Sequence, residues 1–235
     1  MISKLFLAVI FSFPVALSAA DESKLNTAPI DVQDAVSLQR GAKYFVNYCL
    51  SCHAASNMSY MRLQDLGLSE QQIKDYLLFT GDKVATQMQV AMAPKDAREW
   101  FGVPPPDLSV IARSRSPDWL FTYLRGFYRD DSSPSGWNNV VFQNVAMPHV
   151  LYELQGVQRI NKDERGNARL VIEKPGQLTQ VQYDQLVADL VSYLVWMAEP
   201  IKGARIRTGI VVVFFLAALA ILVYFLKREY WKDVH

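Results

Sequence analysis

The sequence contains little cysteine and almost no excess charge. Only two cysteines occur in 235 residues. A disulfide between them would close almost no loop, and a structural zinc site would need further Cys or His ligands at suitable spacing. The 24 basic and 23 acidic residues are interspersed and give a formal net charge of +1, which does not indicate a nucleic-acid partner. Without internal repeats or low-complexity tracts, this length predicts one domain with appendages.

Both cysteines lie in one short motif, Cys49-Leu50-Ser51-Cys52-His53. The C-x-x-C-H pattern is typical of covalent c-type haem attachment, because two thiols three positions apart can each add to one haem vinyl group. The imidazole of the next residue can then serve as the proximal iron ligand. A thioredoxin-like redox pair is the alternative, but His53 and the missing βαβ pattern argue against it. We therefore predict one haem c bound by Cys49, Cys52 and His53.

Two apolar segments, one at each end, raise the hydrophobic content to 51%. Residues 1–20 combine Lys4, an apolar run from Leu5 to Leu17 and small residues up to Ala20. This pattern predicts a secretory signal peptide cleaved after Ala20, with an uncleaved anchor as the alternative. Export agrees with haem attachment, and it predicts a periplasmic haem domain.

The second apolar segment, Thr208 to Leu226, comprises 19 uncharged residues. As a helix it would be about 29 Å long, which matches a bilayer core, whereas a buried core helix is the alternative. Basic residues flank both ends, so the signal peptide rather than charge predicts its orientation. The predicted organisation is a signal peptide at 1–20, a periplasmic domain at 21–205, a transmembrane anchor at 206–227 and a short cytoplasmic tail at 228–235. The protein would thus be a single-pass protein of the inner membrane.

The pattern between these segments predicts a mainly α fold. Apolar residues recur at helical spacing from Leu38 to Cys52, so one helix should deliver the haem motif. Gly41 within this helix suggests that another backbone approaches closely. A capped helix from Thr179 carries a long apolar stripe up to Met197, and we expect it to cross the Gly41 helix.

Shorter elements are predicted between these two helices. The capping box at Ser69–Gln72 should open a helix that ends at Gly81, and a second short helix should cover Asp96 to Phe101. Ser116-Pro117-Asp118 should start a helix over Trp119 to Tyr128. A loop is expected from Asp130 to Asn139, and a small β-hairpin from Val157 to Ile172.

An electron-carrying haem also needs a sixth iron ligand, for which methionine is the usual choice. Most of the seven methionines are disfavoured by their position in the signal, too near His53 or within a helix. Met92 and Met147 remain, in the similar contexts Val-Ala-Met-Ala-Pro and Val-Ala-Met-Pro-His. Spacing favours Met147, which follows a long polar loop, over Met92. His149 stays open as an alternative ligand.

The sequence resembles the cytochrome c1 family, the haem subunits of the ubiquinol-cytochrome c reductase complex. The resemblance extends over nearly the whole exported domain and the anchor. It is carried by Asn47–His53, Pro105–Ser109, Ile111–Arg115, Tyr123–Asp130, Met147–Leu151 and Trp196–Pro200. The segment between Met61 and Pro104 is shorter than in mitochondrial members, so partner contacts made there cannot be carried over.

This resemblance implies roles for further residues and partners. Met147 would be the axial ligand, Arg115 would approach a haem propionate, and Trp119 would lie beside the haem. The chain would pass single electrons from a Rieske iron-sulfur protein to a periplasmic or membrane-bound cytochrome c. It would do so beside cytochrome b in a dimeric respiratory complex, without itself making or breaking a substrate bond.

Three other functions remain as alternatives. The chain could be the anchored cytochrome subunit of another dehydrogenase or oxidase. A haem peroxidase or sensor would need an exchangeable sixth ligand. A purely structural membrane protein would contain no haem.

Overall fold

The computed structural model describes residues 25–90, 92–162 and 168–232. The predicted signal peptide therefore lies outside the described residues. About half of the described residues are helical. The helices are α1 (Ala35–Tyr44), α2 (Glu70–Tyr76), α3 (Pro94–Phe101), α4 (Ile111–Ser114), α5 (Pro117–Arg125), α6 (Tyr152–Gln155), α7 (Gln180–Ala198) and α8 (Lys202–Tyr230). A π-helical turn, Phe45–Cys49, extends α1, and a 3-10 helix covers Tyr60–Leu66.

Within these ranges the strands form three small antiparallel pairs. They are β1 (Ala55–Ser59) with β2 (Gln87–Met88), β3 (Phe127–Arg129) with β4 (Trp137–Asn139), and β5 (Gly156–Lys162) with β6 (Ala168–Pro175). The predicted hairpin is confirmed in its strands, whereas its turn at 163–167 lies outside the described residues. The mainly α fold with small hairpins and a long apolar C-terminal helix is confirmed.

The crossing of α1 and α7 forms the centre of the domain. At Gly41, an added Cβ would overlap the carbonyl oxygen of Asp189 and lie 2.6 Å from Cβ of Tyr193. The buried Asp189 carboxylate accepts hydrogen bonds from Ser37 Oγ at 2.7 Å and from Arg40 Nε at 2.6 Å. The predicted close approach at Gly41 is confirmed, and α7 is the element that makes it.

Tertiary contacts end two helices earlier than their sequence patterns predict. The capping box at Ser69 is present, but α2 ends at Tyr76 rather than at Gly81, because Leu77 leaves the helical conformation and is buried. Helix α5 ends at Arg125 rather than at Tyr128, because β3 pairs with β4 there. The same pairing places a strand inside the predicted 130–139 loop.

Helix α8 is longer than the predicted span and none of its residues is buried. Its most apolar stretch has a mean hydropathy of 3.0, and it is the helix within the described residues that is long and apolar enough to cross a membrane. Apolar side chains that cover no protein core, on a helix of 29 residues, fit a bilayer. The chain thus carries a candidate single-pass anchor.

Replacing Gly41 with alanine should destabilise the domain by at least about 1–3 kcal/mol, because the added methyl group must separate α1 from α7. The free energy of unfolding, measured by denaturant titration, tests this. Gly203→Ala is the matched control, since nothing lies within 4 Å of its Cβ position. Equal stability of the two variants would contradict the close packing described here.

Candidate haem-binding site

The haem motif forms a tight turn at the end of the α1 extension. Cys49 closes the π-helical turn, and its carbonyl oxygen accepts from the N–H groups of Cys52 at 3.1 Å and His53 at 2.8 Å. Leu50 is buried and anchors the turn in the core, while Cys49 and Cys52 are partly buried free thiols. The fold therefore presents two thiols and an imidazole together.

The His53 ring is oriented by a backbone carbonyl. Its Nδ1 lies 2.8 Å from the oxygen of Pro106. Because a carbonyl only accepts, Nδ1 carries the proton and Nε2 of the neutral ring is left with its lone pair. A ligating histidine commonly uses such a bond to fix its tautomer and orientation.

The segment that carries Pro106 is fastened to the residues after the motif. Leu108 N donates to Ala54 O, and the Asp107 carboxylate accepts from the backbone N–H groups of Ser56 and Ser109, each at 2.8 Å. Desolvation opposes the charged form of Asp107, but hydrogen bonds from the side chains and backbones of Ser109 and Ser56 together lower its pKa. Sequence reasoning identified the Pro-Pro-Asp-Leu-Ser motif but missed its contact with His53. The only indication in the sequence that this motif belongs to the site was the family resemblance.

The buried environment of Cys49 is unlike that of a reactive redox thiol. Burial, with a smaller contribution from Cys52, raises the pKa of Cys49 to about 12. Reactive dithiol pairs instead contain a thiol of lowered pKa. Desolvation lowers the pKa of His53, and the Pro106 hydrogen bond and the Asp107 charge oppose this effect. The lowered pKa favours the neutral ring, whose Nε2 can offer its lone pair to a metal.

A second group of predicted residues lies on α5 and beside it. The guanidinium carbon of Arg115 is 4.9 Å from the centroid of the Trp119 ring. Trp119 stacks on Tyr123 at 4.7 Å with an interplanar angle of 11°. The Tyr123 hydroxyl donates to Met147 Sδ at 3.4 Å. Tyr123 thus connects Met147 to Trp119 and Arg115, and sequence reasoning missed this residue as part of the site.

The two groups border the same core. Cys49, Trp119 and Tyr123 are partly buried against the main hydrophobic cluster. Met147 packs against a smaller cluster formed by Phe127, Trp137 and Val145, which Tyr123 also contacts. Free thiols, an imidazole with an available nitrogen and a separate thioether are a donor set that fits a covalently attached haem.

The comparisons with known proteins agree with this donor set. The family model described as the Cytochrome C1 family matches residues 26–234. The chain belongs to the cytochrome c1 family.

Three relatives illustrate the similarity. The chain is 52% identical to the "Ammonia monooxygenase gamma subunit" of Nitrosomonas europaea, over all of this chain and 99% of that protein. It is 46% identical to "Cytochrome c1" of Allochromatium vinosum, over 94% of this chain and 95% of that protein. It is 27% identical to "Cytochrome b/c1" of Bradyrhizobium diazoefficiens, over 88% of this chain but 34% of that longer protein.

Membership of the cytochrome c1 family makes the chain a c-type cytochrome and implies covalently bound haem c.

The remaining methionines of the cytochrome domain differ in their environment. Met58, Met88 and Met197 are buried in the main core, and Met88 Sδ accepts from Tyr193 at 3.8 Å. Met61 is exposed and Met92 is partly buried. None of these five sulfurs receives a hydrogen bond from Tyr123.

His149, the alternative ligand, is part of the smaller cluster. Its ring stacks on Phe127 at 4.9 Å and meets the edge of Trp137 at 5.2 Å. Desolvation lowers the pKa of His149 to about 4, against a smaller opposing effect of Gln155. Among the described side chains, its Nε2 is one of two buried polar atoms without a hydrogen bond, the other being Gln155 Oε1. His149 is thus a neutral ring enclosed by aromatic side chains.

The purified chain should keep its haem through acid-acetone extraction, because thioether bonds resist conditions that break coordination. Cys49→Ala combined with Cys52→Ala should yield little stable protein and only extractable haem. Haem staining after denaturing electrophoresis measures this. Ser51→Ala, at the exposed position between the cysteines, is the control. Extractable haem in the unmodified chain would refute covalent attachment.

Proposed function

We propose that this chain carries single electrons from a Rieske iron-sulfur protein to a periplasmic or membrane-bound cytochrome c. It does so as the cytochrome c1 subunit of the respiratory ubiquinol-cytochrome c reductase. The observation that carries this proposal is the His53 ring, whose Nδ1 is held by Pro106 O directly after two free thiols. That arrangement leaves Nε2 available for iron.

In this proposal, Cys49 and Cys52 attach the haem, and His53 and Met147 ligate its iron. Haem supplies a one-electron iron couple when it is bound. His53 keeps its proton on Nδ1, and the partly buried Met147 offers a soft sulfur that favours reduced iron. If His53 and Met147 both held the iron, no position would be left for a substrate, which would favour electron transfer over a peroxidase or sensor.

Arg115 and Trp119 are proposed to contact the haem edge. Arg115 is exposed and pairs with no carboxylate among the described residues, yet its guanidinium is held over the Trp119 ring. An oriented guanidinium without a protein anion suits the carboxylate of a haem propionate. Trp119 also stacks on Tyr123, whose hydroxyl donates to Met147 Sδ, so Arg115 and Met147 are linked through two aromatic rings.

Helix α8 supports a membrane location and a partner in the membrane. We propose the domain boundaries given by the sequence, with the haem domain at 21–205 in the periplasm and the tail at 228–235 in the cytoplasm. Cytochrome b as partner is supported by family membership and by the Bradyrhizobium relative, whose name joins cytochromes b and c1. We propose a dimeric complex and an acceptor cytochrome c on the same family grounds.

A second candidate is the anchored cytochrome subunit of a different oxidoreductase. It is favoured by the name of the Nitrosomonas europaea relative, a monooxygenase gamma subunit. The haem site and the anchor would serve either complex equally well. The two candidates therefore differ in the partner proteins rather than in the site.

Purification of the full-length chain in mild detergent should distinguish these candidates. We expect cytochrome b and a Rieske protein to copurify with it, and quinol-dependent reduction of the haem to be sensitive to loss of the Rieske protein. Mass spectrometry and quinol-driven haem reduction are the measurements. Copurification with monooxygenase subunits, and without cytochrome b, would support the second candidate instead.

Met147→Leu should lower the midpoint potential of the haem, because loss of the thioether removes a ligand that favours reduced iron. For a one-electron couple, about 59 mV corresponds to a tenfold change in the equilibrium constant. Redox titration and the Met-to-iron charge-transfer band measure the effect. Met92→Leu is the control and should change neither. Loss of the band in Met92→Leu but not in Met147→Leu would refute the ligand assignment.

A further inference from the structure

Tyr123 directs its hydroxyl group at the sulfur of Met147. The Oη to Sδ distance is 3.4 Å, and this is the only hydrogen bond of the hydroxyl among the described residues. A thioether sulfur has two lone pairs. If one binds iron, the other can still accept this hydrogen bond.

The Tyr123 ring is held by two aromatic neighbours and through its backbone. Trp119 stacks on it at 4.7 Å, and Phe127 meets it edge-on at 5.0 Å. Its carbonyl oxygen accepts from Asn139 Nδ2 at 2.7 Å, and Asn139 is fully buried. The donor is therefore held in place by the fold and does not depend on the sulfur for its orientation.

Asn139 and its buried neighbour Asn138, whose Oδ1 accepts from Asn139 N, also hold the loop that leads to Met147. Asn139 Oδ1 accepts from Val141 N at 2.9 Å, and Asn138 Oδ1 accepts from Asn144 N at 2.9 Å. Donor and sulfur are thus positioned by one connected set of hydrogen bonds. A tyrosine hydroxyl carries its proton at neutral pH, so it is available as a donor.

We propose that Tyr123 is a positioning residue that sets the donor strength of Met147 toward the haem iron through its hydrogen bond to Sδ. This inference rests on the proposed function, in which Met147 is the axial ligand. A hydrogen bond to the sulfur withdraws electron density that would otherwise stabilise oxidised iron. The bond therefore favours the reduced state and raises the midpoint potential.

Tyr123→Phe in the full-length haem-loaded protein tests this proposal, because it removes the hydroxyl and keeps the ring. We expect the oxidised state to gain about three- to tenfold, the factor typical of one neutral hydrogen bond. That change lowers the midpoint potential by about 28–59 mV at 59 mV per tenfold. The Met-to-iron charge-transfer band should shift in position but persist.

Tyr128→Phe is the matched control, since its hydroxyl makes no hydrogen bond within the described part of the chain. It should leave both the potential and the band unchanged. Tyr123→Leu removes the ring as well and measures the contribution of packing. If only Tyr123→Leu changes the potential, Tyr123 acts through packing and the proposal is overturned.

The ligand assignment is tested separately by Met147→Leu. If that variant loses the band while Tyr123→Phe matches the unmodified protein, Met147 remains the ligand and the role of Tyr123 is refuted. If Met147→Leu keeps the band, both the ligand assignment and this inference fail.

Discussion

The close approach of α1 and α7 at Gly41 is the constraint on which the site depends. The π-helical turn that extends α1 ends at Cys49, so any change in the position of α1 moves Cys49, Cys52 and His53 together. The Asp189 carboxylate is buried beside this crossing, and an unpaired buried charge would be very unfavourable. It accepts hydrogen bonds from Ser37, Arg40 and Gln185, so α1 and α7 are joined by directional contacts as well as by packing.

The rest of the site is built from loops that side chains hold in place. Asp107 accepts from the backbone N–H groups of Ser56, after the haem motif, and of Ser109, after the Pro106 segment. Asn138 and Asn139 accept from backbone N–H groups of the loop before Met147. Buried backbone groups outside helices and sheets need such partners. The polar residues in these loops therefore fix the position of Pro106 O, which accepts from His53, and the position of Met147.

The sequence predicted features that depend on local chemistry. The haem motif, the capping boxes at Ser69 and Thr179, and the apolar anchor are all patterns within a few neighbouring residues. Gly41 also predicted a contact distant in sequence, because a glycine inside an apolar helix indicates that another backbone lies close to it. The helix ends at Tyr76 and Arg125 could not be predicted, since they are set by burial of Leu77 and by pairing of β3 with β4.

The contacts that complete the site are also non-local. His53 and Pro106 are 53 positions apart, and Tyr123 and Met147 are 24 positions apart. No periodicity relates such pairs, so only the folded chain shows them. Spacing favoured Met147, and the family resemblance supported it and added Arg115 and Trp119, but neither gave Tyr123 a role in the site.

If His53 and Met147 ligate the iron as proposed, one ligand donates a hydrogen bond to the protein and the other accepts one. His53 donates to Pro106 O, which increases electron density on the imidazole and favours oxidised iron. Met147 accepts from Tyr123, which decreases electron density on the sulfur and favours reduced iron. The first partner is a backbone carbonyl, whose accepting oxygen no side-chain substitution removes. The second is a single hydroxyl, so the fold leaves the redox balance adjustable on the methionine side.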